Sequence, residues 1–251
     1  MNFKAFISSF LAAFVFYTII PLPQTWQLNW RRIARWAPLI GLVLGSLLVI
    51  VDISLASLAT PILARSTLIV GLWVWLTGGL HLDGVADTAD GLAVLEPERR
   101  LQVMQDSVTG AFGVMAVVLV LLLKVAGLAD LTSEYRPWIM INAAAWGRWG
   151  QVAAIAFYPY LKSTGKGAFH KQSMRFPQDL WWGLLPLLGL NGWLIWQQWL
   201  TWQQGIVLIA KGIGIALFVG FWIYRRFGGH TGDTYGAVVE WTETLFLISS
   251  V

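Results

Sequence analysis

Runs of apolar residues long enough, or nearly long enough, to cross a bilayer decide what this chain can fold into. A helix needs about 20 mostly apolar residues to span the hydrocarbon core. Residues 38–58, 68–82, 112–128, 138–157, 180–199 and 206–224 form six such runs, and 6–20 and 235–249 form two shorter ones. In lipid the backbone must satisfy its own hydrogen bonds, and a helix does so within one segment. The expected fold is therefore all-α: a polytopic integral membrane protein of about seven or eight helices. No internal repeat, low-complexity tract or soluble segment interrupts it, so residues 1–251 are read as a single membrane-embedded domain. Charge agrees with this class. Only 12% of residues are charged, against about 25% in soluble domains, and the mean hydropathy is +0.65. The first run ends in Pro21, Leu22 and Pro23 with no small-residue cleavage site, and is read as a retained helix rather than a signal peptide.

The net charge of +4 would suggest a nucleic-acid partner in a soluble protein. Here the loops explain it, and no nucleic acid is expected. Arg31, Arg32 and Arg35, then Arg99 and Arg100, then Lys162, Lys166, Lys171 and Arg175, then Arg225 and Arg226 all fall on one side of the expected helices; the alternate loops hold only Arg65 and Arg136. The basic side is expected to be cytoplasmic. The protein is accordingly placed in the plasma (inner) membrane, with the lipid bilayer as its partner and room for a homo-oligomer. The absence of cysteine removes thiolate and disulfide chemistry.

Chemistry concentrates on that basic side. In the run GGLHLDGVADTADGL, residues 78–92, Asp83, Asp87 and Asp90 are spaced i, i+4, i+7. On a helix these carboxylates share a face. No basic residue in the segment offsets them, and an all-oxygen set of this kind suits a hard cation such as Mg²⁺. A second group, in GDTYGAVVE and just beyond, places Asp233 and Glu240 at i, i+7 and adds Glu243 inside an apolar stretch. Carboxylates at membrane depth are costly and mark functional sites. Asp106, in MQDSVTGAFG, either caps the helix that follows or adds a ligand. His81 and His230 read either as hydrogen-bonding structural groups or as site residues. Asp52 is isolated, and the cluster of Glu96, Glu98, Arg99 and Arg100 reads as a solvated face. No P-loop, dinucleotide fingerprint or zinc spacing is present.

These three segments, with the Pro21–Pro23 turn, the Pro38-Leu39-Ile40-Gly41 helix start and Tyr158-Pro159-Tyr160, resemble the cobalamin synthase family over most of the chain. Gln105 and Val108 depart from it, standing where the family usually has basic residues. The resemblance implies a membrane-bound, Mg²⁺-dependent transferase that joins adenosylcobinamide-GDP to α-ribazole or its 5′-phosphate and releases GMP. On this reading Asp83, Asp87, Asp90, Asp106, Asp233 and Glu240 are the metal candidates. Asp233, Glu240 and Asp90 are the candidates for proton transfer, and Lys166, Arg148, Arg225 and His81 those for substrate binding. Two other readings stand beside it. A different membrane alcohol phosphotransferase would be expected to carry an Ala-Arg pair and wider Asp spacing. An ion-coupled transporter would use the carboxylates as ion sites near the bilayer middle.

Overall fold

The computed structural model describes residues 3–23, 25–106, 108–162 and 165–251, and of Phe3 and Lys166 the backbone alone. Among the described residues there are eleven α-helices and no strand. They are α1 (Phe3–Tyr17), α2 (Ala37–Ser57, entered through a 3₁₀ turn at Ile33–Trp36), α3 (Ile62–Leu76), α4 (Leu80–Ala93), α5 (Pro97–Val103), α6 (Ala111–Asp130), α7 (Arg136–Phe157), α8 (Lys166–Ser173), α9 (Gln178–Trp196), α10 (Trp202–Phe227) and α11 (Gly232–Ile248). Each apolar run of the sequence falls on a helix except 68–82, which is divided between α3 and α4. By length and composition, three of these helical segments can cross a membrane: Ile33–Ser57, Ala111–Asp130 and Trp202–Phe227. A fourth crossing is added if α3 and α4, bent by 91° to each other, count together. That is fewer than the seven or eight helices expected to be embedded. Polar and charged residues are the reason on α7, length is the reason on α1, which has 15 residues, and both apply to α11, which has 17.

The central column is α7, buried without a break over residues 139–155. It packs against α2, α9, α10 and α11. In lipid the hydrophobic effect no longer drives helices together, so close backbone approach through small residues does much of that work. On α2, a Cβ at Gly41 or Gly45 would run into the α7 backbone at Ala144–Ala145 or Ile141. On the opposite face, a Cβ at Gly147 would strike Glu243 and the Val239 carbonyl of α11.

Near the start of α7, Asp52 is a paired residue rather than an isolated one. Its carboxylate takes Arg136 Nη2 at 2.7 Å and Nε at 3.0 Å, and Arg65 Nε lies 3.3 Å away. Arg136 also donates to Ser66 Oγ and to the Leu128 carbonyl. This pins α2, α3, α6 and α7 together. It also gives the two basic residues that stood apart from the others in the loop count a shared carboxylate.

The bend between α3 and α4 sits at Gly78 and Gly79, with φ of 62° and 70°. L side chains are strained there, which is why the apolar run 68–82 does not continue as one helix. Space around Gly79 is open, so a substitution meets backbone strain alone. Gly79→Ala should destabilise the protein by about 1 kcal/mol. Gly71→Ala, on α3 and also in open space, should be neutral or gain a few tenths up to about 1 kcal/mol, because alanine is the better helix former. Thermal midpoints of the two variants in detergent check the contrast.

Candidate active site

The two acidic segments meet where α4 and α11 touch backbone to backbone. A Cβ at Gly84 would fall on the carbonyl oxygen of Asp233, and one at Gly236 on the Cα and carbonyl of His81. The contact is reciprocal, glycine on each helix against the backbone of the other. It brings Asp83 and Asp233 into the wall of one cavity of about 100 Å³, with His81, Gln151 and His170. On its other side Asp83 borders an open groove of about 640 Å³ between α4 and α6, lined by Gly78, Thr109 and Val118 among others. Asp83 is exposed and Asp87 half-buried. Asp87 senses the negative charge of Asp83 and Asp233 and the positive charge of Lys162.

Asp233 is set by the start of α11. Thr231 caps this helix, its hydroxyl accepting from the Thr234 amide, and Thr234 Oγ1 accepts from the Thr231 amide. The Thr231 hydroxyl also donates to Asp233 Oδ2 at 3.2 Å. His230 locks the turn: Nε2 lies 3.2 Å from the Gly220 carbonyl, which can only accept, and Nδ1 lies 3.1 Å from Thr234 Oγ1. Burial pushes the His230 imidazole down to about 4, so it is a neutral structural group. The Leu161 amide donates to the His230 carbonyl and the His230 amide to Pro159. That pairing carries Lys162 to the cleft, where its Nζ sits 3.0 Å from Asp233 Oδ2.

The remaining sequence candidates divide by what they touch. Both Asp90 oxygens accept backbone amides, from Gly110 at 2.6 Å and Gly113 at 2.8 Å. Asp90 therefore caps the first turn of α6 from α4, and a Cβ at either glycine would collide with its carboxylate. Asp106 does not supply that cap; it is exposed, and its Oδ1 accepts from the Val108 amide at 3.2 Å. Glu240 lies away from the cleft, fully engaged. Lys124 Nζ of α6 lies 2.5 Å from Glu240 Oε2 and 2.5 Å from Glu243 Oε2, and Arg148 Nη1 lies 2.5 Å from Glu243 Oε1. All four are buried, two cations against two carboxylates joining α6, α7 and α11. Arg148 is thus committed inside the protein, and Arg225 is exposed near the end of α10. The side chain of Lys166 lies outside the described residues.

Among the described residues no group of three or more His, Asp or Glu side chains closes on a common point as a metal site. The six carboxylates singled out from sequence do not converge. The sequence reading also left out Lys124, Lys162 as the partner of Asp233, Gln151 and Tyr235. Only Lys124 carried a readable signal, since a lone lysine in an apolar run requires a buried counter-charge.

A sequence profile of the family described as cobalamin-5-phosphate synthase matches residues 9–251. The chain is 50% identical over 246 residues to an adenosylcobinamide-GDP ribazoletransferase of Trichormus variabilis, covering 97% of this chain and 96% of that one. It is 50% identical over 240 residues to the protein of the same name from Synechocystis sp., covering 94% and 92%. For the Thermosynechococcus vestitus protein of that name the figures are 46% over 248 residues, 98% and 97%. No solved structure matches.

Removing the lysine of the buried network leaves one carboxylate, Glu240, uncompensated, since Glu243 keeps Arg148. Lys124→Met should cost about 3–5 kcal/mol, the usual penalty for breaking a buried pair from one side. Adding Glu240→Gln leaves the Glu243–Arg148 pair intact and should recover much of that loss. The yield of folded protein and its thermal midpoint in detergent test both statements.

Proposed function

The chain belongs to the cobalamin-5-phosphate synthase family, and from that premise we propose that it is a membrane-bound adenosylcobinamide-GDP ribazoletransferase. It transfers the adenosylcobinamide phosphoryl group to α-ribazole or its 5′-phosphate, forming adenosylcobalamin or its phosphate and releasing GMP. The observation that carries this reading is the meeting of Asp83 and Asp233 across the α4–α11 contact, beside an open groove of about 640 Å³. Phosphoryl transfer depends on positioning and on neutralising charge, and both needs are met here by oxygen donors and a nearby lysine.

The donor set fits Mg²⁺ in kind. This ion keeps several waters and is commonly held by one or two carboxylates together with substrate phosphate oxygens, so three converging side chains are not required. Asp83 and Asp87, one turn apart on α4, would hold it, with Asp106 on the rim segment that Asp90 anchors. When bound, Mg²⁺ supplies positive charge against the diphosphate and the departing phosphate. Lys162 adds a fixed positive charge at the same cleft. Asp233 is the carboxylate positioned to take the proton from the attacking ribose hydroxyl. Glu240 and Asp90, the other two candidates for that role, are spent on Lys124 and on the α6 amides. A transporter reading is disfavoured because the buried carboxylates are matched by cations, leaving Asp83, Asp87 and Asp233 gathered around a cleft.

Asp83→Asn and Asp87→Asn are nearly isosteric and remove only charge. Each should lower GMP release from adenosylcobinamide-GDP, α-ribazole and Mg²⁺ by more than the roughly 10–100-fold that losing an outer-shell partner costs. Glu98→Gln, exposed on α5, should leave the rate near that of the wild type. Unchanged turnover in Asp87→Asn at saturating Mg²⁺ would remove it from the metal site.

The cleft faces the cytoplasm of a cell with this protein in its inner membrane, since the basic loops adjoin it. The cysteine-free chain allows a direct check. Leu95→Cys, between α4 and α5 and 88% exposed, and Leu58→Cys, at the end of α2 and 75% exposed, mark the two sides. A membrane-impermeant thiol reagent should label the first only in inside-out vesicles and the second only in intact cells. The reverse pattern overturns the orientation.

A further inference from the structure

The cavity that Asp83 and Asp233 share has a polar lining that the scheme above does not use. His81, His170, Gln151 and Tyr235 line it, and none is more than 5% exposed. Both ring nitrogens of each histidine, the Gln151 amide oxygen and the Tyr235 hydroxyl have no hydrogen-bond partner among the described residues. A buried polar atom left unpaired costs about 1–3 kcal/mol, so six of them around one space mark a surface built for something that bonds to it. The side chains are also held in place. Tyr17 stacks on His81 at 6.2 Å and on His170 at 6.3 Å, and Phe16 packs edge-on to His170 at 4.9 Å. Phe16 itself lines the cavity.

We infer that this cavity is the acceptor subsite, in which His170, Gln151, Tyr235 and His81 hydrogen-bond the ribose of a neutral nucleoside and present one of its hydroxyls to the cleft between Asp83 and Asp233. The assignment rests on the transferase reading and extends it. Neutral imidazoles offer one donor and one acceptor each, glutamine an acceptor, and tyrosine either. These four side chains carry no charge and match hydroxyls and ring nitrogens, with Phe16 as an aromatic face. The alternative occupant is the guanosine of the donor. Position decides against it: Asp83 separates this cavity from the groove of about 640 Å³ that is open to the outside. The bulky donor needs the open side, and the hydroxyl that attacks its phosphorus must arrive from the other.

The test uses full-length protein and α-ribazole. His170→Phe keeps the packing against Phe16 and Tyr17 and removes the polar atoms; Gln151→Met, on a different helix, is close to isosteric. Each should raise the KM for α-ribazole at least about 10-fold, the loss expected of a hydrogen bond made to a buried group. The KM for adenosylcobinamide-GDP and kcat should stay within about two-fold. In the absence of donor, α-ribazole alone should raise the thermal midpoint of the wild type. Wild-type protein that releases no GMP from the substrate pair sinks the functional reading. Active wild type with no thermal response to saturating α-ribazole, or active variants whose KM changes for the donor alone or for neither substrate, sinks the subsite.

Discussion

A carboxylate or ammonium group inside a bilayer stays charged only beside its opposite, and the helices of this protein are arranged to meet that condition twice. Asp52 with Arg136 and Arg65 closes the start of α7. Lys124 and Arg148 with Glu240 and Glu243 fasten α6, α7 and α11 farther along. Pairs of this kind seldom stabilise a fold more than apolar packing would, yet they tolerate no single loss. Their value is registry: each charge fixes the height of one helix against another. Once these residues are accounted for, Asp83 and Asp233 remain in the wall of the cleft, with the partly exposed Lys162 beside Asp233. The distinction between structural and reactive acids follows from that matching rather than from sequence position.

Much of this was readable beforehand. Period and length of the apolar runs gave every large helix, and the repulsion implied by Asp83, Asp87 and Asp90 pointed to α4 as a working surface. Asp90 shows where the reading stops. Its i+7 spacing puts it on the face of its two neighbours, but Gly110 and Gly113 bring backbone amides to it, and no periodicity within α4 can reveal what another segment offers. Glu240 fails in the same way. An acid in an apolar stretch is a sound sign of function until its partner, Lys124, is found on a helix more than a hundred residues earlier. Gln151 had no signal in the sequence, since it is an unremarkable residue until α1, α4, α7, α8 and α11 converge around one cavity.

Glycine makes that convergence close enough to matter. At Gly84 and Gly236 the backbones of α4 and α11 approach without a side chain between them, so the two carboxylates they carry stand across a narrow gap rather than a helix diameter apart. The same device holds α2 to α7 through Gly41 and Gly45. The reactive face and the supporting core are therefore built by one kind of packing, and the apolar surface left on α6 and α10 is left to lipid.

The shortness of α3 has its own consequence. Its 15 residues rise about 22 Å at 1.5 Å per residue, against a hydrocarbon core of about 30 Å. A segment that much shorter than its surroundings draws the bilayer in beside it, and the turn at Gly78 and Gly79 places α4 in that depression. Lipid headgroups and water then descend toward Asp83 without any channel through the protein. A donor with a bulky corrin at one end and a diphosphate at the other can lie in such a dip, and lipids of different chain length would tune how deep it lies.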